Sequence, residues 1–152
     1  MNYPNRRQNR LNGYDYSSEN KYFVTICTDN RNQYFWTENR INSFGRIAEN
    51  ELPEICNHFK CVQVDKYVVM PNHIHLILTI GCKPELKLQQ PLPTLSTVIG
   101  QYKSAVSRKI HLINPKITVW QKSFHDRIIR NEAEYLKLWK YIDENTIPFM
   151  FD

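Results

Sequence analysis

Residues 70–79, MPNHIHLILT, constrain the fold more than any other stretch of the chain. Ile74, Leu76, Leu78 and Ile80 recur at every second position. Side chains of a strand alternate between its two faces, so these four form one buried face. The other face begins with His73 and His75, side by side. Pro71-Asn72 just before them is a turn signal, which sets the pair at the start of the strand, where chemistry is easier to expose than in mid-sheet. Two imidazoles presented together suit a divalent metal. Two packed structural histidines are the plainer alternative.

The elements around this strand follow from periodicity. Residues 21–28, KYFVTICT, are rich in β-formers and read as a strand. Ile41, Phe44, Ile47, Ala48, Leu52, Ile55 and Phe59 recur at helical spacing, with Pro53 kinking or splitting that helix. Residues 61–70 alternate as a second strand, and the histidine strand is the third. A loop over 81–93 leads to a helix whose apolar stripe includes Leu95, Val98, Ile99, Tyr102, Ala105, Val106 and Ile110, with Thr94 or Ser96 able to cap it. Residues 117–121 form a short apolar run, read as the fourth strand. Asn131 then opens a last helix with Glu134 at its third position. Tyr135, Leu138, Trp139 and Ile142 supply its apolar side. The order β-α-β-β-α-β-α predicts an α+β, ferredoxin-like split βαβ fold. Its sheet is largely antiparallel, with helices on one face and an added C-terminal helix.

With 152 residues and 41% hydrophobic content, the chain fits a single globular domain over residues 21–152, preceded by a basic arm over residues 1–20. It shows no apolar run of membrane-spanning length and no secretory signal, so a cytoplasmic location is expected. The four cysteines lack CxxC pairing and read as reduced thiols, with Cys27 in the core. The net charge is +5. It is concentrated in Arg6, Arg7 and Arg10 and in a stretch holding Lys103, Arg108, Lys109, Lys116, Lys122, Arg127 and Arg130. Such clusters are the footprint of phosphate-backbone binding, although a solvated basic face has the same composition.

KYFVTICT, YVVMPNHIHLIL, YKSAVSRKI and VWQKSFHDRIIRNEAEYLKLWKYIDEN together resemble the REP-associated tyrosine transposases, a branch of the single-tyrosine HUH (IS200-like) transposases. The resemblance runs from about residue 6 to residue 145. It implies metal-dependent nicking and strand transfer on single-stranded or hairpin DNA, through a covalent 5′-phosphotyrosine. It also implies that His73 and His75 hold Mg2+ or Mn2+, and that the protein is a homodimer. The resemblance places the nucleophile on the helix after the histidine strand, which points to Tyr102, the only tyrosine on that predicted helix. Better-known branches carry the tyrosine about one turn further on, where this chain has Val106, and a polar metal ligand one turn beyond it. One turn after Tyr102 is again Val106, which cannot coordinate, so water or His125 would complete the metal. Asn145-Thr146 stands where the family commonly has Asn-Pro. Trp120 and Gln121 match a motif beside the site and imply base stacking and a base-edge contact. Lys103, Arg108, Arg127, Arg130 and the arginines of the arm are the expected phosphate contacts. Arg130 could instead pair with Glu134.

Two rivals remain in view. A nucleotide hydrolase with alternating histidines needs a third histidine where Ile77 stands. A domesticated hairpin-binding protein that no longer cuts DNA predicts affinity without metal-dependent nicking.

Overall fold

The computed structural model describes residues 20–81 and 92–151, with side chains through residue 145. The basic arm and most of the 81–93 loop, including Arg6, Arg7, Arg10 and Cys82, lie outside the described residues. Four long strands form one sheet: β1 (Asn20–Cys27), β4 (Val62–Val69), β5 (His73–Ile80) and β6 (His125–Ile129). Their spatial order is β4-β5-β1-β6, and every neighbouring pair is antiparallel. This is the split βαβ order expected from the sequence. A two-stranded ribbon, β2 (Trp36–Thr37) with β3 (Arg40–Ile41), precedes the first helix.

The helix anticipated across 41–59 is split as Pro53 requires, into α1 (Ser43–Asn50) and the single turn α2 (Ile55–His58). Asn42 caps α1 by accepting from the Gly45 amide. Thr94, not Ser96, caps α3 (Leu95–His111), accepting from the Thr97 amide. Asn131 accepts from the Glu134 amide at 2.8 Å and opens α4 (Glu132–Phe151) as its sequence predicts. Among the described residues no helix is long and apolar enough to cross a membrane.

The two sheet faces are clad differently. On one face Tyr22, Val24, Ile26, Ile74, Leu76, Leu78 and Ile80 meet α1 and the apolar stripe of α3, forming the main core. The second face carries a smaller cluster of Ile77, Ile129 and Ile142, with Phe23, Val68, Tyr135, Leu138 and Trp139 against it. Among the described residues helix α4 is therefore the helix on the histidine face, while α3 lies on the opposite one. A bulge between Val64 and Lys66 breaks the β4–β5 register. At that break the Asp65 carboxylate accepts from Tyr135 Oη at 2.9 Å and Thr79 Oγ1 at 2.9 Å, and faces Lys21 Nζ at 3.5 Å. Arg127 pairs with Glu134 at 3.0 Å, and Lys66 pairs with Asp143 while lying 4.9 Å from the Trp139 ring centre. These polar contacts fix the rotation and register of α4 on a face with little apolar area.

The fourth strand is a correction. Residues 117–121 form no strand beyond an isolated bridge between Thr28 and Trp120. They cross the end of β1, where Asp29 N donates to Val119 O at 3.0 Å and Gln121 N to Cys27 O at 3.0 Å. Their apolar character comes from Val119 and Trp120, which close the end of the main core. The strand itself is HDRII, whose alternation buries Ile128 and leaves Arg127 exposed.

Candidate active site

Residues 71–72 form the tight turn between β4 and β5, and Met70 N donates to His73 O across it at 2.8 Å. The turn is pinned to the end of β1: Thr28 N and Thr28 Oγ1 both donate to Asn72 O at 3.1 Å. Register then decides which face the histidines take. His73 stands opposite Cys27 and His75 opposite Thr25, so both imidazoles share a face with Phe23, Thr25 and Cys27. Their ring centres are 4.6 Å apart. His75 stacks on Phe23 at 5.3 Å and is only 7% exposed.

Both inner ring nitrogens are occupied. His73 Nδ1 lies 2.7 Å from Asn72 Oδ1, an acceptor, so His73 carries its proton on Nδ1 and keeps the Nε2 lone pair. His75 Nδ1 lies 2.9 Å from Thr25 Oγ1. This is the outer-shell arrangement that orients imidazoles as metal ligands through Nε2. Burial, with the nearby Arg31 charge adding to it, pushes His73 down to about 4. Burial, then His73, then Arg31, push His75 down to about 3. Both rings are therefore neutral near pH 7, the form a divalent cation needs. Among the described residues no third His, Cys, Asp or Glu joins the pair in a metal-holding group. Asn145 stands one helical turn beyond Tyr141 on α4.

The depressed values carry a stability consequence. An unfolded histidine titrates near 6.5. Between about pH 6.5 and 4 the unfolded chain binds protons that the folded pair refuses, so acid favours unfolding. Stability should be flat above pH 7 and fall as pH drops through that window, by an amount on the order of a few kcal/mol. Urea unfolding at pH 7.5 and 5.0 measures it. A His73→Gln/His75→Gln variant should lose most of the dependence.

Among the described residues Tyr141 is the tyrosine beside the histidines. Its ring centre lies 5.5 Å from that of His75 and 6.2 Å from that of Phe23, and its side chain is 48% exposed. Tyr102 is a correction: it lies across the sheet. It is 1% exposed in the main core, and its hydroxyl donates to Ala48 O at 2.7 Å. Burial first, then Glu51 and Tyr67, raise its phenol well above the ordinary value. Helix α3 covers the face of Leu76 rather than that of His75, so Tyr102 does not reach the pair.

The expected nucleic-acid contacts separate in the same way. Trp120 is 8% exposed, its Nε1 donating to Lys103 O at 3.0 Å, and it is packed against Phe35 and Tyr102 rather than offered to a base. Lys103 Nζ donates to Gln121 O at 2.8 Å and Ser123 O at 2.9 Å, and so ties α3 to the segment before β6. Arg108 is exposed and lines an open groove of about 370 Å³ with Ser104, Ser107 and His111. Gln121 and Arg130 are exposed. Glu134 pairs with Arg127 rather than Arg130. His125 stands opposite Thr25 on the histidine face, lining a cleft of about 200 Å³ with Phe23, Thr25, Asp126 and Arg127. From sequence alone, Tyr141 reads as a packing residue of the last helix, Asn72 only as a turn residue, and Thr25 and Arg31 carry no role in the site. Tyr141 had one legible signal, a polar residue one turn further along its helix.

The family described as "Transposase IS200 like" matches residues 16–145. An uncharacterized protein of Haemophilus influenzae is 31% identical over 159 aligned positions, which cover 93% of this chain and 88% of that one. A solved REP-associated tyrosine transposase bound to a REP hairpin superposes with a TM-score of 0.65 at 18% identity, covering 90% of this chain and 72% of that one. The fold is thus shared with that solved structure, and the family match over residues 16–145 shows that the chain belongs to the IS200-like transposase family.

Proposed function

We propose that the protein is a metal-dependent nuclease and strand transferase acting on single-stranded or hairpin DNA, with Tyr141 as its nucleophile. The observation that carries this reading is the Tyr141 ring 5.5 Å from a His75 whose Nδ1 is already engaged. His73 and His75 would hold the metal through their free ring nitrogens, and Asn145, on the helix that carries the tyrosine, would offer a third donor. The chemistry supplied by magnesium or manganese, when bound, is polarisation of the scissile phosphate.

The chain's own groups supply the rest. Tyr141 Oη forms a bond to phosphorus while the bond from phosphorus to the 3′ oxygen breaks. The phenolic proton passes to solvent, and the departing 3′ oxygen takes one up. The products are a 5′-phosphotyrosine and a free 3′ hydroxyl. The phosphodiester energy is kept in the covalent link, so rejoining to another 3′ hydroxyl needs no nucleotide cofactor. The Asp65–Tyr135, Lys66–Asp143 and Arg127–Glu134 contacts hold the tyrosine in position, because displacement of about 1 Å costs in-line attack heavily. Arg108, Gln121, Arg130 and the arm arginines Arg6, Arg7 and Arg10 are the proposed DNA contacts, and a second copy of the chain is the proposed partner.

Single-stranded hairpins from the flanks of the chain's own gene, labelled on the 3′ side, test this. With manganese the label should become attached to protein and survive denaturation, and with a chelator it should not. Hairpin binding without an adduct under any metal would leave a DNA-binding protein that does not cut.

A further inference from the structure

We propose that Arg31 seats the reacting phosphate beside the histidine pair, a role that rests on the nuclease reading above. The residue lies in the short turn after β1, which the sequence marks only as polar. Two contacts tie it to the site. Its carbonyl accepts from Asn72 Nδ2 at 3.4 Å, and the same Asn72 amide accepts from His73 Nδ1 through its oxygen. At the other end of the residue, Nη1 donates to Cys27 Sγ at 3.3 Å. Cys27 stands opposite His73 in the sheet register, so its thiol shares the histidine face. The guanidinium is therefore held on the face where Tyr141 and both imidazoles meet.

The backbone is built for this placement. Asn30 and Arg31 adopt φ of 52° and 55°, a left-handed conformation that non-glycine residues occupy at a cost. The surrounding turn is fixed by Arg31 N donating to Thr28 O at 3.1 Å and by Thr28 Oγ1 donating to Asn32 O at 2.7 Å. Strain held by such a frame, with the side chain turned toward a reactive face, is the pattern of a functional constraint.

Charge completes the argument. Among the described residues the Arg31 guanidinium meets no carboxylate, and its hydrogen-bond partner there is the Cys27 sulfur. An exposed guanidinium without a counter-ion, next to two neutral rings, leaves its planar fork available to a phosphate. A phosphoryl group passing through a five-coordinate transition state gains negative charge on its equatorial oxygens. A fixed cation there stabilises that state more than the ground state.

Arg31→Gln and Arg31→Lys test the assignment, because an exposed side chain can be changed without loss of fold, as thermal melting would verify. Arg31→Gln should slow adduct formation about 10²-fold, with hairpin affinity changed less than about threefold. Arg31→Lys, which keeps the charge but not the fork, should fall between. Inorganic phosphate gives a second readout that needs no cutting. Titrated into metal-free protein, it should shift the His73 and His75 imidazole resonances in wild type and not in Arg31→Gln. Adducts formed by Arg31→Gln at the wild-type rate would overturn the inference, as would an equal phosphate response in both proteins. If wild type makes no adduct yet shows the Arg31-dependent response, the nuclease reading fails and the anion seat stands.

Discussion

Tyr141→Phe is expected to abolish the covalent protein–DNA adduct, while hairpin affinity and thermal stability stay near wild type. The substitution removes one oxygen from a side chain that is 48% exposed, so little packing is lost. The ring contacts with His75 and Phe23 survive, because they are made by carbon. What disappears is the atom that attacks phosphorus, and residual activity should fall below detection in a denaturing-gel assay. Tyr102→Phe is the matched control and should behave oppositely. It removes a buried hydroxyl from Ala48 O and should cost about 1 kcal/mol of stability, with adduct formation preserved. If the Tyr102 variant loses the adduct and the Tyr141 variant keeps it, the nucleophile has been assigned to the wrong sheet face.

That pair of variants also marks where the sequence stops being legible. The period of two in NHIHLILT fixes which residues share a face, and the structure has Ile74, Leu76 and Leu78 at 0% exposure opposite the histidines. The split βαβ order and the caps at Thr94 and Asn131 are equally local, each decided by neighbours within a few residues. Which helix covers which face is not local. Both α3 and α4 carry an apolar stripe, and nothing in either stripe names its partner. Tyr102 sits in the middle of the α3 stripe, which is why it is buried. Tyr141 flanks the α4 stripe, which is why it is exposed yet still touches the sheet. The fourth strand was hidden for a related reason. Residues 117–121 are apolar because they close the end of the main core, whereas HDRII is a thinner signal, with His125 and Arg127 exposed and only its last two residues buried. Arg31 had no signal at all, since a left-handed turn in DNRN is indistinguishable from a polar loop until its hydrogen bonds are known.

His75→Gln should lower manganese affinity by about 10²-fold or more, and Asn72→Ala by 10- to 100-fold, although Asn72 would never touch the metal. The first removes a ring nitrogen that is free to coordinate. The second removes the acceptor 2.7 Å from His73 Nδ1 and lets that ring turn and change tautomer. Titration calorimetry at pH 7.5 measures both. The pH dependence separates this pair from an ordinary histidine site. Imidazoles that titrate near 6.5 lose a metal as pH falls through 6. Here His73 and His75 lie at about 4 and about 3, because burial disfavours the charged ring and the Arg31 charge adds to it. Protons therefore begin to compete only well below pH 6, and manganese affinity at pH 5.5 should stay within a few-fold of its value at pH 7.5. The same burial that makes acid unfold the protein keeps the two nitrogens available to the metal. Both effects share one pair of rings, so His73→Gln/His75→Gln should flatten the acid limb of stability and remove metal binding together. Metal binding that survives in the double variant would mean that the pair is not the metal site, and an acid limb that survives would mean that the pair does not set it.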